Sequence, residues 1–271
     1  MSRIAERFAD LKRANRAAFI PFVTAGDPDA ATTLALLEKL PGAGADLIEL
    51  GVPFSDPMAD GPAIQASSLR ALEAGMNMKG VLEIVRAFRK TDSRTPLILM
   101  GYYNPIHAYG TEHFAKDAGE AGVDGLITVD LPPEEDDVLR PHANAHGIDI
   151  VRLATPTTNN ARLRTVCDGA GGFLYYVSIA GITGTKSFAE TDVREAVARL
   201  KSQASLPVAV GFGIKTPEQA ASIARFADGA VVGSAIVDRM AQNAGKPRAV
   251  LLADALDFCR SLAQSVHEAR G

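Results

Sequence analysis

Several things are scarce in this chain, and each scarcity closes off a class of function. Cysteine occurs twice, as Cys167 and Cys259, in neither case with the C-x-x-C spacing that zinc and dithiol sites require, so both are expected to be reduced thiols. An excess of cations is also missing: 28 Lys+Arg stand against 32 Asp+Glu, a formal net charge of −4. Nucleic acids and anionic membranes are held by clustered positive charge, so neither is expected as a partner. No apolar run approaches the roughly 20 residues of a membrane span. Residues 1–8 lack the apolar core of a secretory leader, and the spacing of Ile4, Phe8 and Leu11 predicts an amphipathic helix instead. The expected location is the cytoplasm. No Pro/Gly/Ser linker and no low-complexity segment interrupts the chain, which is read as one domain over 1–271.

What is present is a rhythm. Hydrophobic residues make up 47% and charged residues 22% of 271, the usage of an ordinary folded chain with a sizeable core. Short apolar runs of strand character alternate with longer amphipathic segments, as successive βα units would. Eight strand candidates stand at 18–23, 46–50, 96–100, 125–129, 149–153, 173–177, 207–210 and 230–232. Most are nearly continuous in aliphatic residues, the pattern of strands covered on both faces. A related phrase precedes three of them: Ala43-Gly44-Ala45-Asp46, Ala121-Gly122-Val123-Asp124 and Phe226-Ala227-Asp228-Gly229, where a small residue ends a helix before the strand begins. The predicted fold is α/β, a single (β/α)8 TIM barrel with an extra N-terminal helix over 1–11. A doubly wound sheet is disfavoured because the first strand is not followed by G-x-G-x-x-G.

In such a barrel, chemistry belongs at the C-terminal ends of strands, and four places there carry polar or glycine signals. Glu49 lies inside Asp46-Leu47-Ile48-Glu49-Leu50, on the strand face shared with Leu47. A carboxyl among apolar neighbours loses hydration, which raises its pKa towards the range useful for proton transfer; a structural ion pair is the other reading. The loop from Pro53 to Pro62 contains three prolines and displays Asp56 and Asp60, which also suit turns and N-caps. The loop from Ser178 to Ser187 has the small-residue makeup of a lid, but Thr185 between Gly184 and Lys186 spoils a Walker A match. Gly211-Phe212-Gly213-Ile214 and Gly233-Ser234-Ala235 follow the last two strands, where barrels commonly bind phosphate on backbone N–H groups. The five histidines form no H-E-x-x-H pattern, and His142 and His146 are read as a solvated helix face. The run Glu134-Glu135-Asp136-Asp137 is read as an acidic first helical turn.

These residues, in this order, resemble the tryptophan synthase α-subunit family. The segment Gly51-Val52-Pro53-Phe54-Ser55-Asp56-Pro57-Met58-Ala59-Asp60-Gly61-Pro62, with Glu49 two residues upstream, is similar to that family's signature. The likeness extends through Pro21-Phe22-Val23-Thr24-Ala25-Gly26-Asp27-Pro28, Met100-Gly101-Tyr102-Tyr103-Asn104-Pro105, Ala180-Gly181-Ile182-Thr183-Gly184 and the two late glycine pairs. Met58 stands where the family usually shows leucine, and Ile179 where some relatives carry a basic residue.

The resemblance implies retro-aldol cleavage of indole-3-glycerol phosphate to indole and glyceraldehyde 3-phosphate, with no cofactor or metal in this subunit. It implies Glu49 as general acid/base and Asp60 as the anion facing the indole N–H, with the pKa of Glu49 raised and that of Asp60 not. Phe22, Tyr102, Leu126 and Phe212 are expected to form the indole slot, and Tyr175 to orient Glu49 or line the pocket. Thr183 is implied as the lid residue, and Gly184, Phe212, Gly213, Gly233 and Ser234 as the phosphate cradle. The implied partner is a pyridoxal-phosphate-dependent β subunit in an α2β2 assembly, met by Pro53, Asp56, Asn104 and Pro105. Two alternatives stay open: an allosteric partner of the β subunit with little turnover of its own, and another phosphate-handling barrel.

Overall fold

The computed structural model describes residues 2–178, 190–211 and 213–271. Nine parallel strands form its sheet: β1 (Ala18–Thr24), β2 (Ile48–Gly51), β3 (Leu97–Gly101), β4 (Gly125–Thr128), β5 (Asp149–Ile150), β6 (Arg152–Ala154), β7 (Leu174–Val177), β8 (Val208–Gly211) and β9 (Gly229–Val232). The hydrogen-bonded order is β5-β4-β3-β2-β1-β9-β8-β7-β6. The two end strands are consecutive pieces of one run broken at Val151, so the sheet curls round until its ends meet. Eight strand regions were expected, and all eight are found; the fifth is divided because β5 pairs with β4 while β6 pairs with β7. The result is a (β/α)8 barrel.

Helices cover its outside: α1 (Arg3–Arg13), α2 (Ala30–Leu37), α3 (Pro62–Glu73), α4 (Met78–Arg89), α5 (Tyr103–Tyr109), α6 (Thr111–Ala121), α7 (Arg140–Ala145), α8 (Asn160–Cys167), α9 (Glu190–Gln203), α10 (Pro217–Ala224), α11 (Ser234–Gln242) and α12 (Arg248–Glu268). No described helix is long and apolar enough to cross a membrane. The extra helix α1 is capped by the Ser2 hydroxyl, which accepts from the Ala5 N–H, and it buries Ile4, Phe8 and Leu11. Those three join the barrel-interior residues in one cluster, so α1 closes the N-terminal end of the barrel. Burying each such side chain is worth about 1.5–3 kcal/mol, enough to hold a short helix that would not persist alone.

Alternation along the strands divides the core in two. Ile20, Leu47, Ile98, Ile127, Val151, Phe173, Tyr175 and Val231 point into the barrel. Their neighbours Phe19, Ile48, Leu97, Leu126, Leu174, Val208 and Ala230 point out against the helices. Both faces are buried, which is why the strand sequences read as continuous apolar runs. Leu126 therefore packs under helices, and the expectation that it lines an indole slot is corrected: Ile127, one residue on, is the inward neighbour. Cys167 and Cys259 are free thiols, and burial pushes Cys259 up to about 12.

The repeated phrase before three strands has a physical purpose. Gly44 and Gly122 adopt left-handed φ of +97° and +93° as they end their helices, a conformation that suits glycine. The aspartate after each turn then bonds the start of the preceding strand. Asp46, Asp124 and Asp228 accept from the N–H groups of Phe19, Leu97 and Val208 at 2.9, 2.8 and 2.9 Å. Each acid also meets a cation, among them Arg16 at Asp46, Arg3 and Arg89 at Asp124, and Lys201 at Asp228.

Candidate active site

Glu49 sits in β2 opposite Phe22 of β1 and Ile98 of β3. Its odd position in the strand places it inward with Leu47, as expected. The side chain is 0% exposed, and neither carboxylate oxygen has a hydrogen-bond partner among the described residues. Burial without compensation disfavours the anion and pushes its pKa from 4.5 up to about 8. Glu49 is thus a protonated acid at neutral pH, poised to give up a proton to whatever enters the barrel. Tyr175 of β7 lies in the same interior, and the charge of Glu49 helps to raise its phenol above the ordinary value, after burial itself. Gly211 makes room for it: a Cβ there would stand 2.1 Å from the Tyr175 hydroxyl.

Asp60 comes from the loop between β2 and α3. The loop folds back on itself through Asp60 N–H to Pro57 O at 3.0 Å, and the Gln65 amide holds the Asp60 carbonyl at 2.8 Å. Tyr102, following β3, donates its hydroxyl proton to the Asp60 carboxylate at 3.1 Å and accepts from the Ala59 N–H at 3.0 Å. Phe54 packs on the same ring, with centroids 5.3 Å apart. Tyr102 therefore ties the loop to the barrel rim by both faces of one hydroxyl. Burial raises the pKa of Asp60, and the hydrogen bond from Tyr102 opposes that rise. The expectation that only Glu49 is raised is corrected: the two acids differ in whether anything stabilises the anion, and Asp60 alone has such a donor.

Beside Asp60 the pocket wall is built by Phe22, Ile64, Met100, Tyr102 and Val129. Phe22 is held close by two glycines. A Cβ on Gly51 would fall 2.5 Å from its ring, and one on Gly233 would fall 3.3 Å from it. Gly233 is thus small for the sake of the aromatic slot as well as the rim. It precedes α11, where the Ile236 and Val237 N–H groups bond the Gly233 carbonyl at 2.9 and 3.1 Å; Ser234 is exposed at this helix N-terminus, an end that favours anions. Gly213 is exposed at a left-handed φ of +80°. Thr183, Gly184 and Phe212 lie outside the described residues.

On the outer side of the loop, Asp56 and Asn104 are exposed and Pro105 is half-buried, whereas Pro53 is buried beneath them. Met58, between the two loop acids, is 81% exposed, the largest exposure of any large apolar side chain described. Sequence reasoning read it only as a substitution for leucine. The Met58 N–H bonds the Asp56 carbonyl at 2.9 Å.

Fold and site define the class: a (β/α)8 barrel with two acids over an apolar slot and a helix N-terminus at its rim. The chain belongs to the tryptophan synthase alpha chain family, whose model matches residues 8–267. Among solved structures it is similar to tryptophan synthase subunit alpha from Legionella pneumophila, at 43% identity and TM-score 0.91, covering 98% of each chain. It is also similar to the aminoacrylate-bound form of tryptophan synthase from M. tuberculosis, at 33% identity and TM-score 0.87, covering 98% of this chain and 100% of that one.

Proposed function

We propose that the chain is a carbon–carbon lyase of tryptophan biosynthesis, working in the cytoplasm, that cleaves indole-3-glycerol phosphate to indole and glyceraldehyde 3-phosphate. The observation that carries this reading is Glu49: a carboxyl deep in the barrel, without a partner, raised to about 8. Its proton goes to the indole ring carbon that bears the glycerol chain, which turns the ring into an indolenine with positive charge at nitrogen. Asp60, whose anion Tyr102 supports, accepts the hydrogen bond from that N–H and stabilises the charge. The Glu49 carboxylate then removes the proton of the neighbouring glycerol hydroxyl. The C–O bond becomes a carbonyl, the carbon–carbon bond breaks, and its electron pair returns to the ring to restore indole. Glu49 ends as it began, protonated, and the sequence needs no cofactor from this subunit.

The rim supports the phosphate end through Gly213, Gly233 and Ser234, with Thr183, Gly184 and Phe212 retained as expected contributors. The exposed Asp56, Met58 and Asn104, with half-buried Pro105 and buried Pro53, form the face we assign to a β subunit that carries pyridoxal phosphate, in an α2β2 assembly. The M. tuberculosis neighbour, a tryptophan synthase, supports that assignment.

The test is turnover of indole-3-glycerol phosphate by wild type and Glu49→Gln, with and without a β subunit, following both products. Cleavage that β accelerates and that the substitution removes is expected. Absence of cleavage with a bound β subunit would leave an allosteric partner without its own chemistry. Preference for simple triose phosphates over indolyl phosphates would indicate a different barrel enzyme.

A further inference from the structure

One cavity of the described structure holds neither Glu49 nor Asp60. It measures about 620 Å³ and lies in the barrel wall between the C-terminal ends of β4 and β6. The backbone makes it. β4 pairs with β5 only at Gly125↔Asp149 and Leu126↔Ile150, and after the Val151 N–H bonds the Leu126 carbonyl, β6 follows β7 instead. Thr128 and Val129 therefore separate from Arg152 and Leu153, and a slot opens through the wall. The 3-10 segment Pro133–Val138 and helix α8 flank it from outside.

Its chemistry is unusual for a gap between strands. Arg152 lines the slot while only 6% exposed, and it meets the equally buried carboxylate of Asp136. The acidic run read from sequence as a first helical turn thus contains a buried ion pair. Arg140 also donates to Asp136, through Nε at 3.1 and 3.2 Å. Two guanidiniums share one carboxylate, and Asp130 and Arg162, the latter paired with Glu134, complete the charged lining. The Arg152 Nε–H, buried, has no hydrogen-bond partner among the described residues. A buried donor left in this state costs about 1–3 kcal/mol, more for a charged group, so an acceptor supplied from outside gains by meeting it. Elsewhere in the lining Leu139, Ile150 and Val166 form an apolar wall, and the hydroxyls of Thr155 and Thr157 stand with it. The volume lies within the roughly 300–1,000 Å³ of small-molecule sites.

We propose that this slot binds a small organic carboxylate with a compact apolar body. The carboxylate accepts from the unpaired Arg152 N–H, and the body fills the space against Leu139, Ile150 and Val166. The apolar wall favours an aromatic or branched body over a bare oxyanion. The site is separate from the Glu49 and Asp60 pocket, with which it shares only the Val129 wall and neighbouring inward residues. It stands independently of the lyase reading, because its test measures binding and no turnover.

The probe is 4-bromobenzoate, titrated calorimetrically into the full chain and soaked into its crystals, where the anomalous signal of bromine locates it. Binding with bromine between Thr128 and Val166 is expected. The neutral 4-bromobenzamide, and the Arg152→Met variant, should bind roughly tenfold more weakly or worse, the effect of losing one charge-assisted hydrogen bond. Should Arg152→Met fail to fold, Thr157→Trp, a change at an exposed position of the slot's lining, should block the same site with the arginine intact. Bromine found only in the barrel mouth, undiminished binding in both variants, or no binding at millimolar probe would overturn the proposal. Displacement of the probe by inorganic phosphate at equal concentration would also overturn it, by showing an oxyanion hole with no use for the apolar wall.

Discussion

Asp46, Asp124 and Asp228 stand at one end of the barrel, and Glu49 and Asp60 at the other. All five acids come from a strand or the loop next to one, and four of them are at most a quarter or so exposed, yet they are treated oppositely. At the N-terminal end each aspartate accepts from a strand N–H and from a cation, so its charge is shared between secondary structure and an ion pair. Asp124 is held by two arginines at once. At the C-terminal end, among the described residues, Glu49 has no hydrogen-bond partner and Asp60 has only the Tyr102 hydroxyl as a side-chain donor. Pairing makes an acid a fastener, because its charge is already committed. A buried acid without a partner keeps a proton available at a cost in stability, which is the condition for acid/base work. The two ends thus divide stability from chemistry, as barrels of this type do.

The sharpest way to break that contrast is Glu49→Gln, which keeps the shape and removes the exchangeable proton. Turnover of indole-3-glycerol phosphate should fall by about 10²–10⁴-fold, the range for a positioned general acid/base, with KM little changed. Steady-state kinetics on the variant checks it, and retention of more than about a tenth of the rate would assign the proton transfer elsewhere.

The same substitution should stabilise the protein in a pH-dependent way. Below pH 4.5 Glu49 is protonated in both folded and unfolded chains. Between 4.5 and about 8 only the unfolded chain ionises, so folding stability is lost as pH rises, by about 1.4 kcal/mol per unit, and levels off above about 8. The full span is about 4–5 kcal/mol. Denaturant titrations of wild type and Glu49→Gln should therefore diverge from pH 5 to pH 8, with the variant gaining. Parallel curves would mean that Glu49 is hydrated or paired in solution. At the other end Asp124→Ala should do the reverse. It leaves Arg89 half-buried without its carboxylate and the Leu97 N–H without its acceptor, and should cost about 3 kcal/mol while kcat stays at the wild-type value. A changed kcat with unchanged stability would contradict the division.

How much of this was visible in the sequence follows from distance along the chain. The eight strand regions were legible because two-sided burial writes itself into consecutive aliphatic residues. Glu49 was legible for the same reason, as an acid interrupting such a run in phase with Leu47. Leu126 was misplaced because a run apolar at every position carries no phase, and nothing in the sequence says which neighbour faces inward. The break at Val151 left no mark, since it is set by which neighbouring strand each half pairs with. The helix-ending glycines of the repeated phrase were visible, but the aspartates' bonds to Phe19, Leu97 and Val208 span about 20 to 27 residues and were not. Arg152 and Asp136, which meet across the β4–β5 connection, were hidden in the same way, and the neighbouring acids made Asp136 look like one more acid of a first helical turn.

The smallest expected effect tests the one donor that separates Asp60 from Glu49. Tyr102→Phe keeps the ring against Phe54 and removes a hydroxyl that donates to Asp60 and accepts from the Ala59 N–H. Two consequences follow from that double role. The loop loses its tie to the rim, which raises KM, and the Asp60 anion loses the hydrogen bond that opposes its burial, which moves its pKa further up. One hydrogen bond to a charged group is worth about 1.5–3 kcal/mol, so kcat/KM should fall by about tenfold or somewhat more. The acidic limb of its pH profile should shift to higher pH, since a larger fraction of Asp60 is then protonated and unable to face a cationic ring. A loss of kcat/KM with an unmoved acidic limb would reduce Tyr102 to a loop anchor. A moved limb would show that the same hydroxyl keeps Asp60 ionised while Glu49, lacking any such donor, keeps its proton.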